Sequence, residues 1–197
     1  MTKKEEWLAG TRSAVPIMLG YVPVGIAYGV MARQAGLSTW QTVLMSLTVY
    51  GGASEMMAAG MVAQGAAVLT IVLTTFILNL RHIIMSTCVF NQMQGGRLPV
   101  RMLAAFGVTD ETFAVYTTTA NAPRTPRYFF SMALCSYLSW ALGSWLGAIA
   151  TGLLPPLITA ALGISLYAMF IGLLMPGLHG NGRLAALVVL TALCNTM

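Results

Sequence analysis

A small set of polar and ionisable side chains interrupts otherwise apolar stretches of this sequence, and these residues could do chemistry. They are Ser54, Glu55, Asn79, Arg81, His82, Asp110 and Glu111. A carboxyl group can carry a proton or bind an ammonium group, and a guanidinium fork suits a carboxylate. An imidazole titrates near neutral pH and can relay protons. These residue types fit the lining of a passage for a charged or zwitterionic solute.

Glu55 is the most informative of these residues, because no other charged residue lies between positions 34 and 80. A carboxyl group at bilayer depth costs on the order of 2.5–3.5 kcal/mol to insert and is a functional candidate by default. We predict that Glu55 is a proton carrier or an ammonium ligand. The structural alternative is an interhelical hydrogen bond made by the neutral acid, and His82 could likewise be a structural hydrogen-bonding group.

Arg81 could pair with Asp110 or Glu111, receive a substrate carboxylate, or extend to the nearby membrane face. A turn at 64–65 would make the flanking segments antiparallel, and residue counts then place Glu55 and Arg81 roughly 10 Å apart in depth. A direct pair between those two is therefore not expected. Adjacent Asp110 and Glu111 point about 100° apart on a helix, so one could face a cavity while the other caps the helix or meets an arginine.

The composition indicates that the surface of this protein faces lipid rather than water. Hydrophobic residues make up 57% of the sequence and charged residues only 8%, with a mean hydropathy of +0.78. A soluble domain carries about 25% charged residues, so this chain lacks the groups needed to cover a water-facing surface. The basic residues stand singly or in pairs at the ends of apolar segments, which is typical of a membrane protein and argues against nucleic-acid binding. The three cysteines lack metal-like spacing, and no metal site is predicted.

The elements that must position these side chains are apolar segments long enough to approach or cross a bilayer. We predict an all-α, polytopic membrane helix bundle with a cytoplasmic N-terminal segment at 1–12 and a single transmembrane domain at 13–197. The domain would contain about seven hydrophobic segments. These segments are 13–33, 40–63, 66–90, 102–120, 128–152, 157–177 and 184–197.

The first and fourth segments are predicted to be broken or re-entrant. The first contains Pro23, Gly25 and Gly29, whose opened backbone could meet a zwitterion, although simple helix packing is the competing explanation. The fourth contains Asp110, Glu111 and a run of threonines. If all seven segments cross and the N-terminus is cytoplasmic, Arg33, Arg97 and Arg101 lie on the outer face, against the positive-inside tendency. If the first and fourth segments are re-entrant, nearly every basic residue outside the apolar segments lies on the cytoplasmic face.

A faint internal repeat also relates 13–90 to 102–177 at an offset near 87 residues. It brings Pro23 against Asp110 and Tyr50 against Tyr137. Duplicated three-helix halves are common among secondary transporters, so the two ranges are candidate repeats.

Three patches of the sequence resemble a known family. They are Pro23-Val-Gly25-Ile-Ala-Tyr28-Gly29, closed by Gly36; Tyr50-Gly51-Gly52-Ala53-Ser54-Glu55, followed by Asn79-Leu80-Arg81-His82; and Thr109-Asp110-Glu111-Thr112-Phe113-Ala114. In this order and at these separations, over residues 13–177, they resemble the AzlC family, the larger subunit of a bacterial two-component branched-chain amino acid exporter. Family members often carry glutamine where this chain has Glu55.

The resemblance implies a multi-pass permease of the bacterial inner membrane that exports leucine-like amino acids beside a small, hydrophobic partner subunit of the AzlD type. Alternating access coupled to protons is the predicted mechanism, since the acids inside the membrane can titrate. The sequence contains no G-x-x-x-x-G-K-[ST] motif, and no cofactor is predicted. The last segment has only fourteen residues, about 21 Å of helix, so we expect either a truncated chain or a helix that ends early.

Two other function classes are weighed against transport. A channel or a purely structural membrane subunit would show pore-lining polar rings or a repeated pore loop, and neither is clear. An intramembrane hydrolase could use Ser54, His82 and an acid, but the chain lacks a G-x-S-x-G elbow, and an enzyme is not predicted.

Overall fold

The computed structural model describes residues 2–153 and 182–195, together with the isolated positions 155, 157, 161, 164 and 171. Throughout this part of the chain the regular structure is α-helical, which confirms the all-α class. The helices are α1 Lys3–Gln34, α2 Thr39–Val49, α3 Gly52–Ala63, α4 Val68–Asn79, α5 Arg81–Gln92, α6 Leu98–Phe106, α7 Asp110–Thr118, α8 Pro126–Ala150 and α9 Gly182–Asn195. The predicted segment at 157–177 lies almost wholly outside the described residues.

The chain divides into two compact units, Met1–Ser165 and Leu166–Met197. Helices α1 to α8 belong to the first unit, and α9 belongs to the second. The site described below lies entirely in the first unit.

Three helical stretches among the described residues are long and apolar enough to cross a membrane. They are Lys3–Gln34, Val68–Gln92 and Pro126–Ala150. The second combines α4 and α5, which meet at Leu80, where the backbone keeps helical dihedral angles of φ −55° and ψ −28°. At about 1.5 Å per residue, 25 residues extend about 37 Å, enough for a hydrocarbon core of about 30 Å.

Helices α1 and α8 run parallel and pack closely against each other. A Cβ atom added to Gly10 would collide with Tyr128, and one added to Gly29 would lie 3.0 Å from the carbonyl carbon of Gly147. Residue numbers therefore rise together along the contact. Small residues let two backbones approach in lipid, and this stripe of glycines does so over most of the length of α8.

The start of α1 and two loops lie at one end of the bundle, here called the N-terminal end. The Trp7 and Phe130 rings lie 6.0 Å apart, which places the start of α8 beside the start of α1. The Gln94 amide donates to the Arg124 carbonyl oxygen at 2.6 Å, which places the loops after α5 and α7 at this end too. Since α4 and α5 form one span that ends here, α4 must begin at the opposite end.

Helices α2 and α3 form a half-membrane hairpin, the first hairpin, which enters and leaves by the opposite end. Helix α2 starts beside the end of α1 and runs back along it: the Tyr28 hydroxyl donates to the Thr42 carbonyl oxygen at 3.1 Å, and the Tyr50 ring lies 6.4 Å from that of Tyr21. Helix α3 then returns and turns into α4 through Gln64 and the following glycine, at the end where α4 begins.

Helices α6 and α7 form the second hairpin, which enters from the N-terminal end. Its turn reaches the middle of α1, where the hydroxyl groups of Thr109 and Tyr21 lie 2.7 Å apart. Helix α7 then returns, so that the Tyr116 ring lies 6.1 Å from the ring of Tyr128 near the start of α8. The fourth segment is therefore broken, as predicted, and it enters and leaves on one face.

The two hairpin turns have local causes in the sequence. Tyr50 ends α2 in the left-handed conformation, with φ of 49°, and Gly51 precedes α3 in an extended conformation. Such a backbone costs a non-glycine residue roughly 1 kcal/mol, so surrounding contacts must hold it. In the second hairpin, Thr109 accepts from the backbone of Thr112, which bonds back in a capping box and starts α7.

The prediction of a broken first segment is wrong. Helix α1 continues from Lys3 to Gln34 with Pro16 and Pro23 inside it. Each proline removes one backbone hydrogen bond without ending the helix, as often happens in membrane helices. The broken element is instead the second segment. Helix α1 also takes in most of the polar stretch at 1–12, because Thr2 and Glu5 form a capping box before it.

The internal repeat stays a prediction, because its second half extends into residues that are not described. The elements that it equates nevertheless differ in form. Residues 13–33 belong to one continuous helix, whereas 102–120 lie in a hairpin.

Candidate functional site

The turns of the two hairpins meet beside the middle of α1 and α8. The Tyr50 ring of the first hairpin lies 6.0 Å from Phe106 of the second and 4.9 Å from Tyr137 of α8. Tyr21 of α1 contacts both turns, through its ring to Tyr50 and through its hydroxyl to Thr109. Polar groups at broken helices survive in a membrane only where protein or water covers them, and here they cover each other.

Glu55 is completely buried in the first turn of α3. Its Oε1 accepts from the Gly51 backbone amide at 2.9 Å, and its Oε2 accepts from the Trp140 indole nitrogen at 3.3 Å. The neighbouring Ser54 hydroxyl donates to the Gly51 carbonyl oxygen at 2.8 Å. Two donors and the positive end of a half-helix would stabilise a negative charge here, whereas complete burial favours the neutral acid.

Glu111 is the second buried carboxyl group, in the first turn of α7 and 6% exposed. The Tyr21 hydroxyl donates to its Oε2 at 2.6 Å and also contacts the Thr109 hydroxyl. Each hairpin thus presents an acid at the start of its returning helix. The sequence carried a signal of this repeat that was missed, because an aromatic residue followed by glycine stands five residues before each acid, Tyr50 before Glu55 and Phe106 before Glu111.

Aromatic side chains fill the space between the two carboxyl groups. Tyr21, which holds Glu111, packs edge-to-face on Trp140 at 5.3 Å, and Trp140 donates to Glu55. Tyr28 stacks on the other side of Trp140 at 6.1 Å. These residues were missed as site residues, although buried tyrosines and tryptophans usually require a hydrogen-bond partner, which was the available signal.

Arg81 pairs with Asp110, with Nη2 and Oδ2 separated by 2.8 Å. This is one of the partners that the sequence allowed, and Glu55 has separate partners, as its depth relative to Arg81 required. The pair ties the middle of the α4–α5 span to the turn of the second hairpin, and each charge supplies the counterion that the other needs at bilayer depth.

Three buried polar atoms at this meeting point lack a hydrogen-bond partner within the described part of the chain. They are the Tyr50 hydroxyl, Asn79 Oδ1 and Arg81 Nε. The oxygen of Asn79 lies 3.6 Å from where a Cβ on Gly51 would be, so it faces the turn of the first hairpin. A buried polar atom without a partner costs about 1–3 kcal/mol, so these three atoms are candidates to bond a polar ligand.

The remaining predicted residues lie elsewhere. His82 is half-buried and its Nδ1 lies 3.1 Å from the Asn79 carbonyl oxygen, whereas Ser54 bonds to a different carbonyl, so these two residues do not form a hydrolase pair. Gly25 and Gly29 pack against α8: a Cβ on Gly25 would lie 3.0 Å from the Trp140 carbonyl oxygen. Helix α1 is continuous around Pro23 and its glycines pack against α8, so a role of Pro23, Gly25 and Gly29 in binding stays a prediction.

The family model that describes the AzlC protein matches residues 16–154, a range that contains both hairpins and nearly all of α8. The chain belongs to the AzlC family. It is similar to an uncharacterised membrane protein of Archaeoglobus fulgidus, with 34% identity over 94% of this chain and 82% of that protein. It is also similar to the inner membrane protein YgaZ of Escherichia coli, with 31% identity over 86% of this chain and 72% of that protein.

A third relative of this AzlC-family chain is the branched-chain amino acid transport protein AzlC of Bacillus subtilis. The identity is 28% over 76% of this chain and 61% of that protein. No solved structure matches this chain significantly. The membrane helices and the relatives' names together confirm the predicted multi-pass localisation in the cell membrane.

Proposed function

We propose that this AzlC-family chain is a permease that exports branched-chain amino acids by alternating access. The name of the Bacillus subtilis relative supports the substrate class. The observation that carries the proposal is a set of buried polar atoms that lack a partner in the described part of the chain, where the two hairpin turns meet beside two buried carboxyl groups. A zwitterion supplies both the donors and the acceptors that these atoms lack.

The substrate would lie against the turn of the first hairpin. Its ammonium group would donate to Asn79 Oδ1 and to the Tyr50 hydroxyl oxygen, and its carboxylate would accept from Arg81 Nε. The aromatic rings of Tyr50, Phe106 and Tyr137 would cover its aliphatic side chain. Each polar group of the ligand would thus meet an atom that has no hydrogen-bond partner among the described residues.

Glu55 is proposed as the proton carrier. Both of its partners, the Gly51 amide and the Trp140 indole, are donors, so they stabilise the ionised carboxylate. Protonation would place a neutral acid between two donors and weaken both bonds. Proton binding would therefore loosen the first hairpin, which couples the proton to movement of the turn that contacts the substrate.

Alternating access would move the hairpins against α1 and α8. The two parallel helices pack through glycine backbones and resist separation, whereas the hairpins are held by a few side-chain bonds. Each hairpin opens to a different face of the membrane, so loosening one exposes the site to one side only. The N-terminal end is proposed to be cytoplasmic, and a small membrane subunit of the AzlD type is the proposed partner.

The test is efflux of labelled leucine, valine and methionine from cells that express the chain together with its small partner. We expect saturable efflux that accelerates when external leucine is available for exchange. Glu55→Gln should abolish the dependence of efflux on external pH, and Glu5→Gln, an exposed control with the same loss of charge, should not.

Different results would separate the alternatives. Unchanged efflux upon expression would overturn transport of these substrates by the chain. Efflux that neither saturates nor exchanges would favour a channel. A Glu55→Gln variant that keeps the full pH dependence would remove Glu55 as the carrier.

A further inference from the structure

A cavity of about 580 Å³, here called the vestibule, opens at the N-terminal end of the bundle. Its lining includes Glu6, Trp7, Val100, Leu103, Arg127 and Phe130. These residues come from the start of α1, the start of α8 and the first half of the second hairpin. The volume exceeds that of a single amino acid, and no residue named for the proposed substrate site contributes to it.

The charged part of the vestibule lining consists of two opposite charges that face each other without a hydrogen bond. Arg127 Nη1 and Glu6 Oε2 are 3.7 Å apart, which is beyond hydrogen-bond distance. Glu6 is only 14% exposed, and its Oε2 is a buried atom that lacks a hydrogen-bond partner among the described residues. Arg127 is 54% exposed and can move toward a ligand.

The walls of the vestibule are apolar. Trp7 and Phe130 lie 6.0 Å apart at a tilt of 51°, and Val100 and Leu103 of α6 face them. A compact ligand with one anionic group, one cationic group and an aliphatic chain matches this arrangement. A ligand with a single charge could pair with only one of Glu6 and Arg127 and would separate the other from its counterion.

A second cavity adjoins the vestibule on the side of the second hairpin turn. It has a volume of about 230 Å³ and shares Leu103 and Phe130 with the vestibule. Its lining reaches Gly107 of the second hairpin and Tyr137 of α8. The Tyr137 ring lies 4.9 Å from that of Tyr50, so the second cavity lies between the vestibule and a residue that touches the proposed substrate site.

We propose that the vestibule is a separate docking site for the amino acid before it reaches the hairpin turns. Arg127 binds the carboxylate, Glu6 binds the ammonium group, and Trp7 and Phe130 cover the aliphatic side chain. This inference rests on the proposed export function, because it assigns the vestibule to the same substrate. It adds a site on the face from which an exporter collects its cargo.

The test uses the full chain in nanodiscs and the fluorescence of Trp7. Leucine should produce a saturable fluorescence change that Trp7→Phe removes. Glu6→Gln and Arg127→Gln should each weaken leucine binding at least about tenfold, because each removes a charge-assisted hydrogen bond. Glu5→Gln and Arg97→Gln are matched controls at exposed positions of the same end and should leave the affinity unchanged. Glutamine at position 5 preserves the capping box.

Leucine analogues and lipids distinguish an amino acid from a zwitterionic lipid headgroup as the ligand of the vestibule. Leucinamide, without the carboxylate, should lose the contact with Arg127, and 4-methylpentanoate, without the ammonium group, should lose the contact with Glu6. Neither should compete with leucine at equal concentration. A Trp7 signal that responds to phosphatidylethanolamine in the nanodisc but not to leucine would assign the vestibule to a lipid headgroup and overturn the proposal.

The outcome also separates this inference from the export function. Efflux with unchanged concentration dependence in both Glu6→Gln and Arg127→Gln would overturn the docking site and leave export intact. Saturable leucine binding reported by Trp7, in a chain that produces no efflux, would support the docking site and overturn export. The double variant Glu6→Arg/Arg127→Glu restores the ion pair, so recovered stability with weakened leucine binding would support a role in binding.

Discussion

At the scale of single residues, Tyr21 makes the decisive contacts of the site. Its hydroxyl donates to Glu111 and contacts Thr109, and its ring packs on Tyr50 and Trp140. One side chain therefore supports an acid of the second hairpin, the turn of the first hairpin and the indole that holds the other acid.

Removal of the Tyr21 hydroxyl should leave Glu111 buried without its donor. We expect Tyr21→Phe to lower the free energy of unfolding by about 1–3 kcal/mol, measured by denaturant unfolding in detergent. The loss should shrink in a Glu111→Gln background, since the two groups are coupled. Equal losses in both backgrounds would contradict the coupling. Tyr137→Phe, which removes a bond to a backbone carbonyl at a half-buried position, is the matched control.

Residue types predicted part of the site and missed the rest. The burial of Glu55 and the pair of Arg81 with Asp110 follow from the cost of charge in an apolar segment. The contact between Tyr21 and Glu111 does not, because it joins positions 90 apart in the sequence and depends on where the second hairpin turns.

At the scale of elements, the parallel contact of α1 and α8 is the fixed part of the molecule. It is built from backbone against backbone, and an added Cβ on Gly147 would collide with the Ile26 carbonyl oxygen. The hairpins, in contrast, touch these helices through aromatic rings and single hydrogen bonds. This difference follows from side-chain size, since only glycine permits such an approach.

Gly147→Ala should therefore force α1 and α8 apart. Overpacking of this kind costs about 1–3 kcal/mol, and we expect a lower melting temperature in detergent with less properly folded protein. Gly60→Ala is the control, because its added Cβ would meet no atom within 4 Å and alanine favours a helix by up to about 1 kcal/mol. Equal melting temperatures for the two variants would show that the close contact does not limit stability.

The positions of the helix breaks were only partly predictable. Prolines and glycines in the first segment suggested a break, but α1 is continuous and its glycines serve the close contact with α8. The break after α2 occurs at Tyr50, whose left-handed conformation no residue preference indicates, because aromatic residues rarely adopt it. Thr109, by contrast, has the hydroxyl expected of a helix N-cap.

At the scale of the whole molecule, two half-membrane hairpins that enter from opposite faces meet between three spanning helical stretches among the described residues. This arrangement gathers most basic residues at the N-terminal end. Arg97, Arg101, Arg124 and Arg127 lie there with the first turns of α1, and Arg33 lies at the opposite end. The distribution agrees with the positive-inside tendency if the N-terminal end is cytoplasmic.

Cysteine labelling tests this arrangement directly. In a chain whose own cysteines are replaced, Gln64→Cys should react with an impermeant maleimide from the same face as Arg33→Cys. Arg97→Cys should react from the other face, together with Lys4→Cys. Reaction of Gln64→Cys from the face of Lys4→Cys would mean that the first hairpin crosses the membrane and that the proposed arrangement of the turns is wrong.

Because each hairpin returns to the face it left, replacing it with a full crossing changes the passage number by one, and two such replacements change it by two. Three passages and five both deliver Thr151 to the side opposite Thr2. A reporter enzyme fused after Thr151 would therefore give the same reading for either arrangement. Only the two short loops near residues 64 and 95 lie on different sides in the two arrangements. A fusion after Thr151 therefore cannot show whether the two hairpins, whose turns form the buried site, cross the membrane or return.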